Sequence, residues 1–251
     1  MTDSVERFSN RVSNYAKYRP DYPREIIRYL TDNCGLTPDA VIADVGCGPG
    51  ISSRMFLENG NRVIGVEPNT AMRAAAAECL AAFPLFTAVN GTSSSIKLPD
   101  ASVDLVTAAQ AFHWFDPVEA RSEFSRILRP GGRIVLIWNA RQLDTTPFLV
   151  DYEAFIVRFS SDYEIVRHGN ITEAAIAEFF GNAYASATFS NLQEFDLEGL
   201  KGRLLSSSYI PNESDLVYGE MIEQLQMLFA KHAENGKIKV FYDTIVYSSR
   251  Y

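Results

Sequence analysis

The chain has 251 residues, of which 47% are hydrophobic, and this length is enough to bury a substantial single core. Its 31 acidic and 23 basic residues give a formal net charge of −8, which offers no electrostatic reason to approach phosphate backbones or anionic lipid. We therefore expect neither nucleic acid nor a membrane as a partner. Without an apolar run of transmembrane length or the layout of a secretion signal, the sequence predicts a cytoplasmic protein.

The nucleophilic and metal-ligating residue types show no catalytic spacing. The three cysteines have no C-x₂-C pair and the three histidines no H-x-x-x-H pair, so we expect no metal site. They are Cys34, Cys47, Cys79, His113, His168 and His232. The G-x-S-x-G elbow of a serine hydrolase does not occur either.

The first predicted element is an amphipathic helix over residues 24–34. It follows the segment 15–23, which contains Arg19 and three tyrosines, at positions 15, 18 and 22. These tyrosines have an ordinary explanation, which is that they pack the helix onto the edge of a sheet.

The most informative segment is a short apolar run, 41–45, that contains Asp44 and ends in a turn with three alternate glycines. The run predicts a buried strand, and a helix is predicted over 51–59. The glycines are Gly46, Gly48 and Gly50. Because glycine adopts positive φ and lets backbone approach a ligand closely, the turn predicts a nucleotide site next to the free amides of the new helix.

The spacing of these glycines separates two cofactor classes. A dinucleotide fingerprint requires G-x-G-x-x-G, but position 51 is Ile51. A second apolar strand, 62–67, ends in Glu67, 23 residues after Asp44. A carboxylate there can accept two hydrogen bonds from a ribose diol. Cys47 lies inside the turn, where we interpret it as a packing residue.

Further elements follow in regular alternation. They are a helix over 69–83 containing Met72, a strand over 85–89, a polar loop over 92–95, a segment 99–106 that leads into strand four, a helix over 117–128, the turn Arg129-Pro130-Gly131-Gly132, and strand five over 133–138. Beyond these we predict helices over 148–159, 172–180, 197–206 and 214–233, and strands over 185–195 and 237–249.

Four of these segments, in this order, resemble the class I S-adenosylmethionine (SAM)-dependent methyltransferases. They are the glycine turn, the acidic end of strand two, the segment 99–106 and the turn 129–132. The chain is most similar to the type 11 methyltransferase domain family, which includes trans-aconitate-methyltransferase-like enzymes. The resemblance implies an α/β, doubly wound, Rossmann-like sheet of seven mostly parallel strands that ends in an antiparallel strand pair, with a helical cap insertion.

A single domain, 1–251, is expected. The resemblance divides it into an N-terminal lid and helix (1–38), a cofactor-binding core (39–138), a substrate cap (139–184) and C-terminal strands and helices (185–251).

The resemblance also implies a set of cofactor-binding residues. They are Tyr18, Arg19, Asp44, Gly46, Gly48, Gly50, Glu67, Met72, Thr92, Ser93, Gln110 and Ala111. In related enzymes the segment matching 15–23 lies over the cofactor, so Arg19 would pair with the methionine carboxylate while Tyr15 or Tyr18 closes the pocket. One departure is that many relatives carry acidic residues at the positions of Thr92 and Ser94, so adenine recognition here would depend more on backbone groups.

His113 is the one titratable candidate near the expected methyl group, at the end of strand four. It would act as a base if the acceptor must lose a proton, and its alternative role is a hydrogen bond to the cap. The neighbouring aromatic residues 112, 114 and 115 can exclude water and attract a sulfonium. Tyr15, Trp114 and Asn139 are candidate substrate contacts, and Asn139 has a loop-capping alternative.

The predicted function is transfer of a methyl group from SAM to a small-molecule acceptor by direct in-line displacement. Base-amine methyltransferases normally carry Asn/Asp-Pro-Pro-Tyr/Phe after strand four, and this chain has Gln110-Ala111-Phe112-His113 instead. Two alternatives stay open, a non-catalytic SAM-binding module and a nicotinamide-dependent oxidoreductase.

Overall fold

A computed structural model describes residues 12–160, 163, 172–181 and 183–249 of the chain. Within these residues the strands form one seven-stranded sheet of order β3-β2-β1-β4-β5-β7-β6. The strands are β1 (Val41–Val45), β2 (Arg62–Val66), β3 (Phe86–Val89), β4 (Val103–Ala109), β5 (Leu128–Arg141), β6 (Tyr184–Phe195) and β7 (Ile238–Ser249). The first five are parallel, and β7 runs antiparallel to both β5 and β6. The predicted fold class is confirmed.

Nine α-helices accompany the sheet in the described part of the chain. They are α1 (Val12–Tyr18), α2 (Glu25–Cys34), α3 (Ile51–Glu58), α4 (Thr70–Cys79), α5 (Pro117–Ile127), α6 (Pro147–Phe159), α7 (Glu173–Phe180), α8 (Leu197–Leu205) and α9 (Tyr218–His232). None of the described helices is both long and apolar enough to cross a bilayer.

Three apolar clusters hold these elements together. One packs α2 and α3 against the sheet, and a second packs α5 and α7 against it. A third cluster joins α6, α8 and α9 to β6 and β7. The near-continuous apolar sequences of β1 and β4 follow from this arrangement, because a parallel strand covered by helices on both faces is buried on both.

Strand β5 begins five residues earlier than predicted. Val103 pairs with Leu128 but Leu105 pairs with Arg133, so the predicted turn 129–132 is an irregularity within the strand. A side chain at Gly132 would lie 2.9 Å from the carbonyl oxygen of Asp104, which explains why the chain can pass so close to β4 only with glycine there.

The sheet topology places the site. Because β1, β2, β4 and β5 are parallel, their carboxyl ends meet at one edge, where ligands bind in open α/β sheets. The glycine turn, Glu67 and Gln110 follow β1, β2 and β4, and Arg141 is the last residue of β5.

Candidate active site

A cavity of about 330 Å³ lies at this edge of the sheet. This volume is within the usual range for small-molecule sites. Of the predicted cofactor and substrate residues, it is lined by Tyr15, Arg19, Gly46, Gly48, Glu67, Met72, Thr92, Ser93, Gln110, Ala111, His113 and Trp114. Tyr18, Asp44 and Gly50, also predicted to bind the cofactor, are not among its lining residues.

The three glycines of the turn have different roles, although all have positive φ. A Cβ at Gly46 would lie 2.6 Å from the Cβ of Ala111, and one at Gly50 would lie 2.5 Å from Cδ1 of Leu80. A Cβ at Gly48 would meet nothing within 4 Å. Gly46 and Gly50 therefore permit close packing of the protein, whereas Gly48 leaves space that a ligand can use.

Asp44 supports the turn from behind. Its Oδ2 accepts hydrogen bonds from the hydroxyls of Ser52 and Ser53, both at 2.6 Å, in the first turn of α3. The side chain is fully buried, and this burial raises the pKa of its carboxyl to about 6, although the serine hydrogen bonds act in the opposite direction. Asp44 thus positions the helix that borders the cavity.

Glu67 connects the glycine turn to the next helix. Its Oε2 accepts from the backbone N–H of Gly48 and its Oε1 from that of Asn69, both at 2.9 Å. Each carboxylate oxygen can accept a second hydrogen bond, and Glu67 lines the cavity. The carboxylate therefore has acceptor capacity for a ribose diol, while burial raises its pKa.

The far wall of the cavity consists of Met72 and the loop after β3. Met72 and Ser93 are buried, and Thr92 is exposed with its hydroxyl 3.4 Å from that of Ser94. Gly91 precedes this loop, and a Cβ there would lie 2.9 Å from Cγ1 of Val66. The loop can therefore lie this close to β2 only with glycine at its start.

The N-terminal segment contributes Tyr15, Arg19 and Tyr22 to the cavity. Tyr22, the third tyrosine of the segment, was not among the predicted site residues. Arg19 Nη2 donates to the carbonyl of Ser206 at 3.0 Å, which fastens the segment to the end of α8. Tyr18 instead packs on α8, where a Cβ at Gly202 would lie 2.1 Å from its ring.

A short 3₁₀ turn, Phe112–Trp114, and the residue after it border the cavity. His113, Trp114 and Phe115 line it, whereas Phe112 is buried against Phe179 with ring centroids 4.5 Å apart. Burial, and then the positive charge of Arg19, lower the pKa of His113 to about 4. The imidazole is therefore neutral at neutral pH and can accept a proton.

A second cavity, of about 390 Å³, adjoins the first. Six residues line both, and they are Tyr15, Arg19, Tyr22, Ile51, Gln110 and Tyr209. Gln110 has φ of +56°, and its Nε2 donates to the carbonyl of Asn139 at 2.9 Å. Its buried Oε1 has no hydrogen-bond partner within the described ranges. A strained, non-glycine backbone with a free acceptor at the junction marks Gln110 as a functional candidate.

Asn139 lines the second cavity, but its amide is occupied by the protein. Its Nδ2 donates to the carbonyls of Pro20 and Asp21, at 3.4 and 3.3 Å. Its Oδ1 accepts from Asn191 and from the hydroxyl of Thr244. The geometry thus supports the loop-capping alternative, since no hydrogen-bonding position of the amide is left for a substrate.

Several lining residues were not predicted from the sequence. They are Tyr22, Asn69, Arg141, Arg203, Ser208 and Tyr209. Tyr22 lies within the recognised N-terminal segment, and Arg141 ends β5, so both could have been found by position. No local sequence pattern points to Arg203, Ser208 or Tyr209.

Comparison with known proteins agrees with this geometry. Residues 43–136 match the family model of a methyltransferase domain. An uncharacterized methyltransferase-like protein of Schizosaccharomyces pombe is 28% identical over 251 residues, covering 98% of this chain and 95% of that protein. Residues 43–136 therefore form a methyltransferase domain, and the match along nearly the whole chain supports a class I SAM-dependent methyltransferase.

Two further matches extend the comparison. An uncharacterized methyltransferase of Mycobacterium tuberculosis is 40% identical over 134 residues, which span 53% of this chain and 52% of the relative. A solved structure from Anaeromyxobacter dehalogenans, provisionally assigned as a type II methyltransferase, has a TM-score of 0.70 at 20% identity and covers 93% of this chain and 98% of its own. At that identity the likeness concerns the fold.

Proposed function

We propose that this methyltransferase moves a methyl group from SAM to a small-molecule acceptor by direct in-line displacement. The observation that carries the proposal is the junction of the two cavities. The glycine turn and Glu67 border the first, and the second opens beside Gln110 with its own polar lining. One chamber suits the cofactor and the other gives an acceptor a route to it.

The first cavity suits SAM in two respects. The space above Gly48, where a Cβ would meet nothing, allows a ligand to contact the backbone. Glu67 has lone pairs left for a ribose diol after its two backbone hydrogen bonds. When bound, SAM supplies a methyl group on a positively charged sulfonium.

The contribution of the protein is orientation and exclusion of water. Alignment of two reactants can supply several powers of ten in rate, on the order of 10⁵ or more. The rings of Trp114 and Phe115 border the first cavity, where they exclude water and offer faces that attract a cation. Neutral His113 can take a proton from an acceptor that must lose one.

The alternatives are disfavoured by specific observations. A SAM-binding module without catalysis has no need for a second cavity next to the first. A nicotinamide-dependent oxidoreductase is opposed by Ile51 at the third fingerprint position and by the antiparallel β7. The sequence 110–113 opposes a base-amine methyltransferase.

Titration calorimetry tests the cofactor assignment. SAM and S-adenosylhomocysteine (SAH) should bind with one-to-one stoichiometry and displace one another, and NAD should not compete with either. Tight binding of NAD, with no heat from SAM or SAH, would overturn the proposal. Catalysis is then tested by mass spectrometry of products formed from SAM and a small-molecule library.

A further inference from the structure

Three arginines surround the second cavity. Arg19, Arg141 and Arg203 line it, and among the lining residues that the structure describes there is no aspartate or glutamate. A small cavity with three guanidinium groups is unusual, because buried charges are ordinarily paired with opposite charges. The hydrogen-bond and ion-pair partners of each arginine therefore decide whether its positive charge is compensated within the protein.

Arg141 has one paired and one unpaired nitrogen. Its Nη2 contacts the carboxylate of Glu153 and donates to the hydroxyl of Tyr163 at 3.3 Å. Its Nη1 is buried and has no hydrogen-bond partner among the residues that the structure describes. The whole side chain is only 10% exposed, so water does not compensate for the missing partner.

Arg203 and Arg19 are bonded to neutral oxygens. Arg203 is 8% exposed, and it donates to the hydroxyls of Tyr242 at 3.2 Å and Ser207 at 3.3 Å. Arg19 donates to the carbonyl of Ser206, and its buried Nε has no partner in the described part of the chain. Burial and the charge of Arg203 lower the pKa of Arg19, which indicates that the two cations repel one another.

Positive charge exceeds negative charge among the described residues around this cavity. Three guanidinium groups face one carboxylate, Glu153, in the described part of the chain. Building on the proposed function, a sulfonium in the first cavity would add another positive charge. An anionic ligand would supply the negative charge that the described residues around the cavity lack.

We infer that the methyl acceptor carries a carboxylate, and that Arg141 and Arg203 hold this group at the end of the second cavity. The unpaired Nη1 of Arg141 provides a donor directed by a rigid guanidinium plane, and such charge-assisted bonds are short and strong. Arg141 and Arg203 line the second cavity but not the first. The carboxylate therefore anchors the acceptor at a distance from the methyl group and is not itself the methylated group. The atom that receives the methyl group lies at the junction, beside Gln110.

The test uses the full chain saturated with SAH. Benzoate, succinate and citrate are titrated by calorimetry and ligand-observed NMR, each against its neutral amide, and phenyl phosphate is titrated as a second kind of oxyanion. At least one acid should bind at least tenfold more tightly than its amide and than phenyl phosphate. Arg141→Gln should remove at least tenfold of that acid's affinity while SAH affinity is unchanged.

Two variants separate recognition from folding. Arg158→Gln removes an exposed arginine that pairs with Glu220, and it should leave acid binding unchanged. Glu153→Gln removes the carboxylate that competes for Arg141, so acid affinity should stay the same or rise. A purely structural role for Arg141 predicts instead that Arg141→Gln and Glu153→Gln both lower the melting temperature and neither changes the acid-to-amide ratio.

The outcomes also distinguish this inference from the proposed function. If SAH does not bind, the proposed function fails. If SAH binds but no acid binds below 10 mM, if amides bind equally well, or if phenyl phosphate binds best, the carboxylate assignment is wrong.

Discussion

The two cavities are built in opposite ways. The first is made largely of backbone and short motifs that follow one another between Gly46 and Phe115, each at the end of a strand. The second depends on side chains from three distant places, at positions 19, 141 and 203. In the proposed function, the backbone framework of the first cavity holds the cofactor, and the arrangement of charges in the second selects the acceptor.

The largest effect is expected for Gly48→Val. A β-branched side chain would fill the open space above the turn and exclude the cofactor, so SAM binding should be abolished. Gly131→Val is a matched control, because Gly131 also has positive φ and open space around its Cβ but lies in β5, away from both cavities. Each change should cost about 1–3 kcal/mol of stability from backbone strain, measured by urea unfolding.

A folded Gly48→Val protein that binds SAM normally would contradict the assignment of the glycine turn. Loss of SAM binding in both variants would point to a general loss of structure instead.

His113→Ala tests the proposed base in the first cavity. If the acceptor atom must lose a proton, turnover should fall by about 10²–10⁴-fold with SAM affinity nearly intact. Because the pKa of His113 is about 4, the basic form is present above that pH, and turnover should decline only as pH falls through about 4. Turnover against pH for wild type and variant checks this.

If turnover of His113→Ala still declines at acidic pH as in wild type, or if the variant is equally active, His113 is not the base. Catalysis would then depend on orientation by the aromatic side chains. An acceptor atom already deprotonated at neutral pH should likewise give only a small loss.

Glu67→Ala should weaken SAM binding by roughly 1.5–3 kcal/mol, the scale for a hydrogen bond to a charged group. The carboxylate also accepts from Gly48 and Asn69, so part of the loss would come from a loosened turn. Calorimetry with SAM and with free adenosine separates the contributions. An unchanged affinity in a folded variant would exclude Glu67 from the site.

The smallest effect concerns stability at Asp44. Its folded pKa is raised from 3.8 to about 6, so its contribution to stability is complete below about pH 4 and is lost as pH rises through 6. Asp44→Asn can still accept from both serines without the buried charge. The variant should be about 1–3 kcal/mol more stable at pH 8, with a difference that shrinks towards pH 4.

Urea unfolding at both pH values measures this difference. Ser53→Ala, which removes one hydrogen bond to Asp44, should shift stability at pH 8 in the opposite direction. A destabilised Asp44→Asn protein would show that the carboxylate is stabilised by groups other than the two serines.

The sequence predicted the sheet and most of the first cavity because these depend on local chemistry. Positive φ at Gly48 and a carboxylate at the end of β2 leave a pattern within a few residues. Asp44 and Gly50 belong to the same motif, but Asp44 bonds to α3 and Gly50 packs against Leu80. Sequence spacing alone cannot distinguish these structural roles from contact with a ligand. Arg203 reaches the second cavity only through tertiary packing, so the residues next to it in the sequence form no motif that predicts its role.

The amide of Asn139 has a consequence for biosynthesis. Its oxygen is held by Asn191 and Thr244, and its nitrogen fastens the carbonyls of Pro20 and Asp21. A nascent chain on the ribosome acquires the glycine turn long before residue 244 emerges. The N-terminal segment therefore receives the complete set of these hydrogen bonds only after β7 has been synthesised, so a chain truncated before β7 would hold this side of its cofactor chamber less firmly.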